Sequence, residues 1–399
     1  MNLESMKNLV IKEIDLIKDE IIKMSDTIYD NPEIGHQEFK ASEILTQALQ
    51  EHGFSVRKDI NDMKTAFVAS FKGRSDSPIV GLLCEYDALI GMGHACGHNL
   101  IGPGSVGAAI ALRKFMPESY GTLMVFGTPA EEGGVDNAGG KCLMTDEFKK
   151  TDACLIWHPG TQNRASRASS MAREAMQFDF FGKAAHAGAA PWEGINALNA
   201  VLIMFRSIDA LRQHVKPTVR IHGIIEKGGD AANIVPAHTV AKFYVRALDI
   251  NYLKEVSEKV KNCARGAALA TGTEMKFRDY ANIYENTIPI KSLADVIEAN
   301  IKELGLKVFE QEDGREPSGG STDIGNVSQV TPITSFSIAI GDEKIRPHSI
   351  EFREAARSDK AHEAVVFAAK TMAMTAIDLY TNSEKLKNIR KEWENAKKR

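Results

Sequence analysis

Four short stretches of the chain carry side chains able to hold a metal ion and activate a water. They are Gly93-His94-Ala95-Cys96-Gly97-His98-Asn99, Gly127-Thr128-Pro129-Ala130-Glu131-Glu132-Gly133-Gly134, His158-Pro159-Gly160 and Pro347-His348-Ser349. Each alone is weak. A Cys-x-His pair is often an ordinary loop, a Glu-Glu dipeptide is usually a solvated helix face, and lone histidines are more often satisfied polar residues than ligands. Together they make a different pattern, because each sits beside glycine or proline that lets the backbone turn toward a common point. A thiolate, imidazoles and a carboxylate suit zinc or a neighbouring first-row ion. Five such groups exceed what one tetrahedral ion needs. That favours two ions about 3.5–4 Å apart with a shared bridging ligand.

The elements that must position these groups are legible in the apolar pattern. Short runs rich in β-formers occupy Thr65–Phe71, Ile79–Cys84, Thr122–Phe126, Ala153–Trp157 and Ile333–Ile340, and helices are expected at Ser42–Gln50 and Ser105–Met116. Near-continuous apolar strands alternating with helices imply an α/β sheet buried on both faces. The reactive stretches follow these strands: Ile79–Cys84 runs into Glu85-Tyr86-Asp87, Thr122–Phe126 into the Glu-Glu turn, and Ala153–Trp157 into His158. In open α/β sheets the carboxyl ends of the strands line one crevice, where ligands bind.

A second pattern spans about Arg173–Glu285. Strands are expected at Ala175–Phe181, Thr218–Glu226, Thr239–Ala247 and Thr273–Tyr280, with helices at Ile195–His214 and Tyr252–Ala270. Strand–helix–strand–strand–helix–strand is the split βαβ, ferredoxin-like sandwich. Because another apolar strand follows it, the expected organisation is a catalytic domain in two parts, 1–172 and 286–399, with a domain at 173–285 inserted between them.

Composition narrows the class further. The 43% hydrophobic and 26% charged content is that of a globular chain. A formal net charge of −4 leaves no basic footprint for nucleic acid. The N-terminal segment sets charges among Leu and Ile at helical spacing, unlike a signal peptide, and no stretch approaches the roughly 20 apolar residues of a membrane span. Five cysteines, an odd number, do not suggest a disulfide framework. A cytoplasmic location is expected. The basic tail from Ser383 to Arg399 reads as a solvated helix end.

The chain resembles the metallopeptidase family that includes aminoacylases, carboxypeptidase G-type enzymes, indole-acetyl-amino-acid hydrolases and aminobenzoyl-glutamate hydrolases. The aminobenzoyl-glutamate hydrolase and aminoacylase-like dipeptidase branch looks most similar. The likeness runs from Asn31-Pro32-Glu33-Ile34-Gly35 through the HACGHN and GTPAEE motifs to His348-Ser349-Ile350-Glu351-Phe352. It implies a zinc-peptidase-like mixed sheet with two divalent ions per subunit, zinc or manganese. The implied ligands are Cys96 (bridging), His98, Glu132, His158 and His348, with Glu131 as catalytic base. It also implies that the inserted domain is a lid that mediates homodimerisation. His186, Asn233 and Arg246 then become substrate-binding positions, and the loop around Gly320 a wall of the pocket. As plain sequence, His186 and Asn233 read as loop residues, Arg246 as a surface cation, and Ser318-Gly319-Gly320-Ser321-Thr322-Asp323 as a turn. Two departures from the family stand out: Asn99 where many relatives have Asp, and Glu85-Tyr86-Asp87 where many have Asp-x-Asp.

The resemblance implies hydrolysis of an amide bond in a small N-acyl amino acid, an aminobenzoyl-glutamate-like conjugate or a dipeptide, with Glu131 taking the proton of a metal-activated water. Two alternatives compete: an amidase using Cys96 as nucleophile beside a histidine, and a non-catalytic metal-binding protein. A free base beside a complete ligand set argues against the latter.

Overall fold

The computed structural model describes residues 2–116, 121–310 and 320–398. Along them the strands are β1 (Ser55–Ile60), β2 (Met63–Lys72), β3 (Ile79–Cys84), β4 (Thr122–Gly127), β5 (Ala153–Gly160), β6 (Arg164–Ala165), β7 (Ala172–Phe181), β8 (Arg220–Lys227), β9 (His238–Ala247), β10 (Glu274–Tyr284) and β11 (Ile333–Ala339). They form a seven-stranded mixed sheet, β1-β2-β4-β3-β5-β11-β6, and a four-stranded sheet, β10-β7-β9-β8. The chain divides accordingly. One compact unit takes the residues up to Ser169, resumes at Thr287, and includes everything from Asp323 onward; the other takes Ser170–Asn286 with residues 320–322.

In the first unit β4, β3, β5 and β11 run parallel. Their side chains, among them Val80, Leu82, Leu83, Val125, Phe126, Leu155, Ile156 and Trp157, are inaccessible to solvent. Helices Leu3–Tyr29, His98–Phe115 and Asp359–Thr381 pack against one another beside this sheet. Because the four strands point the same way, Cys84, Gly127, Gly160 and Ala339 finish on one rim. Thr128 ties two of these ends together, its N–H and hydroxyl both donating to Cys84 O at 2.9 and 2.8 Å.

Three details differ from the expectation. β5 does not stop at Trp157 but continues through His158-Pro159-Gly160, opposite Ser337–Ala339 of β11. β3 pairs only with Ala153–Leu155, so the missing N–H of Pro159 leaves no gap in a two-sided ladder. The helix expected from Ser105 begins seven residues earlier, at His98. Gly102-Pro103-Gly104 reads as a break, yet Gly102 N donates to Glu85 O at 3.1 Å instead of within the helix. A Cβ at Gly104 would lie 2.6 Å from Trp157 Nε1, so this face must stay bare to meet the sheet. Lastly, β1 and β6 give no apolar signal, β1 being a mostly exposed edge strand and β6 only two residues long.

The second unit has the order β7, helix Ala197–Leu211, β8, β9, helix Ile250–Thr271, β10. All its strand pairs are antiparallel, giving the expected ferredoxin-like sheet. Asn196 and Asp249 cap the two helices, accepting from Leu198 and Asn199 N and from Tyr252 N respectively. Met176, Phe178 and Phe180 of β7 pack with Val201, Met204, Val256 and Val260 of the helices as its core.

The C-terminal segment is a helix, Ser383–Lys397, but not a solvated one. Ile389 and Trp393 join the core of the first unit. Trp393 Nε1 donates to Ser328 O at 2.6 Å, and Glu392 accepts from the backbone N–H groups of Lys291 and Ser292 at the start of helix Lys291–Glu303. Spacing alone did not expose this, since two apolar positions in a basic segment look like chance. Trp393→Ala should therefore lower unfolding stability by about 3–5 kcal/mol, as for a core aromatic. Urea denaturation checks this, and a change within about 0.5 kcal/mol, the surface norm, would count against the packed tail.

Candidate metal centre

The rim residues are aimed by local backbone devices. Gly97 caps helix His98–Phe115 with φ +78°, and a Cβ there would collide with the Pro159 ring. That glycine lets His98 open the helix against β5. Ala130 holds φ +57°, its N–H donating to Glu38 Oε1 at 2.8 Å, so the chain turns sharply just before Glu131 and Glu132. Burial, and then the charge of Asp87, push Glu38 up to about 8. His348 also has positive φ, +65°, with its N–H bonded to Ala95 O at 2.9 Å, next to Cys96. His158 leaves β5 with Nδ1 donating to Pro159 O at 2.8 Å, which keeps the Nε2 lone pair available 3.5 Å from Cys96 Sγ.

The five candidate ligands converge. Cys96, His98 and His158 form one group whose donor atoms all lie within 4.8 Å of one another; Cys96, Glu132 and His348 form a second; His98, Glu131 and Glu132 form a third. Cys96, His98 and Glu132 each belong to two of these groups, so the three link the donor atoms into one cluster. The donor set also bears on whether a cation fits. His98 Nε2 lies 3.8 Å from Glu132 Oε1, and both atoms are buried with no hydrogen-bond partner. His348 Nε2 approaches the same oxygen at 3.7 Å. Buried polar atoms are rarely left so, and a cation between them satisfies both. The residues fit a metal.

Asp87 organises the centre. It accepts from His98 Nδ1 at 2.9 Å and from Glu132 N at 2.8 Å, orienting two candidate ligands at once. Burial raises its carboxyl, but the His98 charge and hydrogen bond outweigh this and hold it below the usual range. On the opposite side Lys141, wholly buried, pairs with Glu85 Oε1 at 2.7 Å and Asp323 Oδ1 at 2.6 Å. Burial works against this ammonium, yet Asp323 and Glu85 keep it charged, well above its normal value. Glu85 in turn is drawn down by Lys141 and His98 against its burial. Glu131 faces the reverse balance: burial, then Glu85 and Glu132, push it well above an ordinary glutamate. Burial and Glu132 likewise raise the Cys96 thiol, the opposite of what an unassisted cysteine nucleophile needs.

Asp87 and Lys141 were not picked out as site residues from sequence. Asp87 was visible as an acid directly after an apolar strand; nothing marks Lys141, in Gly139-Gly140-Lys141, apart from its glycines. The two departures have distinct settings. Glu85 Oε2 reaches His98 Nε2 at 3.6 Å, whereas Asn99 Nδ2 donates to Ser25 Oγ and Ala356 O, tying the helix start to its neighbours.

The remaining predicted residues lie in the second unit. His186 Nδ1 accepts from Gly188 and Ala189 N at 3.2 and 3.1 Å, which leaves the proton on an exposed Nε2. Its loop joins that of Asn233, whose carbonyl accepts from Ala187 N at 3.0 Å. Arg246 Nη1 donates to Ser321 Oγ at 3.2 Å, next to Gly320, whose carbonyl accepts from Met171 N. Ser318 and Gly319 fall outside the described residues.

A mixed parallel sheet presenting thiol, imidazole and carboxylate groups on one rim, with a ferredoxin-like insertion, defines a metal-dependent amidohydrolase. Comparison with known proteins narrows this. Residues 174–271 match the M20 peptidase dimerisation domain. The chain is 35% identical to the Xaa-Arg dipeptidase of Mus musculus over 98% of its own length and 93% of that protein. It is 29% identical to one chain of the p-aminobenzoyl-glutamate hydrolase of Escherichia coli K12, covering 92% and 91%. A solved Bacillus subtilis structure, described as a dinuclear metal binding peptidase from the M20 family, shares the fold with a TM-score of 0.64 at 18% identity, covering 92% of this chain and 99% of that one. The chain belongs to the M20 peptidase family. Among the described residues no helix is long and apolar enough to cross a membrane.

If Asp87 orients His98 and Glu132 as described, Asp87→Asn should weaken metal binding about 10–100-fold. Competition against a chromophoric chelator reads this out, and wild-type affinity would remove Asp87 from that role.

Proposed function

We propose that the protein hydrolyses the amide bond of small N-acyl amino acids, aminobenzoyl-glutamate-like conjugates or dipeptides at a dinuclear centre. Cys96 would bridge the ions, with His98, Glu132, His158 and His348 completing the ligand set. The observation that carries this reading is the convergence of these donor atoms around two buried, partnerless ones, His98 Nε2 and Glu132 Oε1. The thiolate leans toward zinc, while the carboxylates also accept manganese. Bound there, two divalent ions supply an acidified water and a polarised carbonyl.

The residues around the centre do the rest. Glu131 takes the proton of the attacking water and returns it to the departing amine, as general base and then acid. Asp87 keeps His98 and Glu132 aimed, while Lys141 neutralises Glu85 and Asp323. The inserted unit, 173–285 as read from sequence, serves as lid and homodimerisation domain. It contributes His186, Asn233 and Arg246 to substrate binding, with His186 Nε2–H as a donor to the oxyanion, and the later loop around Gly320 adds a wall of the pocket. Names of relatives that act on Xaa-Arg dipeptides and on aminobenzoyl-glutamate support both leaving groups as starting points. A cytoplasmic location accords with five cysteines that form no disulfide among the described residues.

Glu131→Ala should retain near-full metal content yet lose turnover by roughly 10²–10⁴-fold or more. Metal analysis beside an activity panel of Xaa-Arg and Xaa-Lys dipeptides, acyl amino acids and aminobenzoyl-glutamate tests this. Wild-type-like turnover in the variant would sink the assigned role.

A further inference from the structure

The sheet of the inserted unit carries a charge arrangement that needs an explanation. Arg173 of β7 stands directly across from Arg246 of β9, which is itself paired with Arg220 of β8. Directly paired residues share a face, so three arginines form one row across the sheet, where like charges repel. The row lies on the face away from the helices, since the core residues Met176, Phe178 and Phe180 have the opposite parity to Arg173.

Arg173 is the least expected of the three. It is 3% exposed, its Nη1 is buried with no hydrogen-bond partner, and no carboxylate among the described residues pairs with it. Its guanidinium carbon stacks 3.7 Å from the centre of the Tyr284 ring and 4.8 Å from that of Tyr244. Arg246 lies 5.7 Å from the same Tyr244 ring. Stacking on aromatic faces offsets only part of the cost of dehydrating a cation, and a second cation beside it adds to that cost. Burial, and then the nearby Arg173, pull Arg246 below its usual range. An anion reaching the orphaned Arg173 Nη1 would satisfy it.

We propose that Arg173 and Arg246 form a paired carboxylate site whose ligand is the acidic end of an amide-linked amino acid with two carboxylates, glutamate or aspartate. This rests on the amidohydrolase reading above, in which Arg246 takes the substrate carboxylate. One guanidinium suits one carboxylate, held by two parallel hydrogen bonds. A second, fixed by two tyrosines, offers the same to a side-chain carboxylate and repels a basic side chain, which is selection by repulsion as well as attraction. The site therefore favours glutamate-ended conjugates over arginine-ended ones.

Calorimetry on the purified full chain with glutarate, acetate and inorganic phosphate tests the binding claim directly. Glutarate should bind at least tenfold more tightly than acetate or phosphate, and Arg173→Met should abolish that advantage. The thermal midpoint of ligand-free Arg173→Met should equal or exceed that of wild type, because a repulsive buried charge has gone; a merely structural arginine would lower it. In parallel, the kcat/KM ratio of benzoyl-glutamate to benzoyl-arginine should exceed one in wild type and collapse in the variant. No preference for glutarate, or one that survives the substitution, overturns the site while leaving the hydrolase reading intact. Glutarate binding that depends on Arg173, with no turnover of any amide, overturns the hydrolase reading and leaves the anion site standing.

Discussion

Crowding of buried charge at the rim of one sheet is the constraint on which the rest of the molecule depends. Glu85, Asp87, His98 and Glu132 are each under 10% exposed and lie within a few ångströms of one another. Carboxylates at such depth are stable only with compensating positive charge. The protein meets part of this demand itself, through Lys141 against Glu85 and Asp323 and through the Nδ1–H that His98 donates to Asp87. Glu132 Oε1 and His98 Nε2 are left without a hydrogen-bond partner, which is where the proposed ions would sit. One buried lysine can therefore sit close to the candidate ligands, because Glu85 and Asp323 are the carboxylates it pairs with.

That arrangement dictates unusual backbone. The candidate ligands reach the rim from the segments after β3 and β4, from β5 and from the segment after β11, and a strand end alone does not aim a side chain back across its neighbours. Left-handed φ at Gly97, Ala130 and His348 supplies the turns. At alanine and histidine such conformations cost free energy that glycine would avoid, and each is held by a neighbouring hydrogen bond, to Glu38 or to Ala95 O. The strain is local and sits where the chemistry is.

How much of this was legible follows from which physics leaves a trace in composition. The central parallel strands are buried on both faces, so they appear as unbroken apolar runs, and the candidate ligands stand out because each follows such a run beside glycine or proline. The ferredoxin-like order emerged from alternating periods for the same reason. What escaped was decided by tertiary context. β1 is largely exposed on both faces and looks like loop. Helix His98–Phe115 runs unbroken through Gly102-Pro103-Gly104 because Glu85 O, just beyond β3, accepts the hydrogen bond that Gly102 N does not make within the helix. Lys141 and Trp393 each look like ordinary surface residues until the partners they meet, 182 and 65 positions away, are in place. Arg173 belonged to no chemical motif, being simply the first polar residue of a strand.

The interruption of the seven-stranded sheet by the insertion bears on biogenesis. β11 lies between β5 and β6 although the whole inserted unit separates it from them in sequence. A nascent chain therefore exposes the flanks of β5 and β6 while the ribosome makes more than a hundred further residues. The insertion, contiguous but for a short later loop, can assemble meanwhile as its own cooperative unit. Closing a loop of that length is entropically cheap when its ends are already brought near by a folded module. The insertion thus holds the two ends of this loop together, Arg173 of β7 standing opposite Tyr284 of β10, so the chain that goes on to form β11 restarts beside the strands it must join.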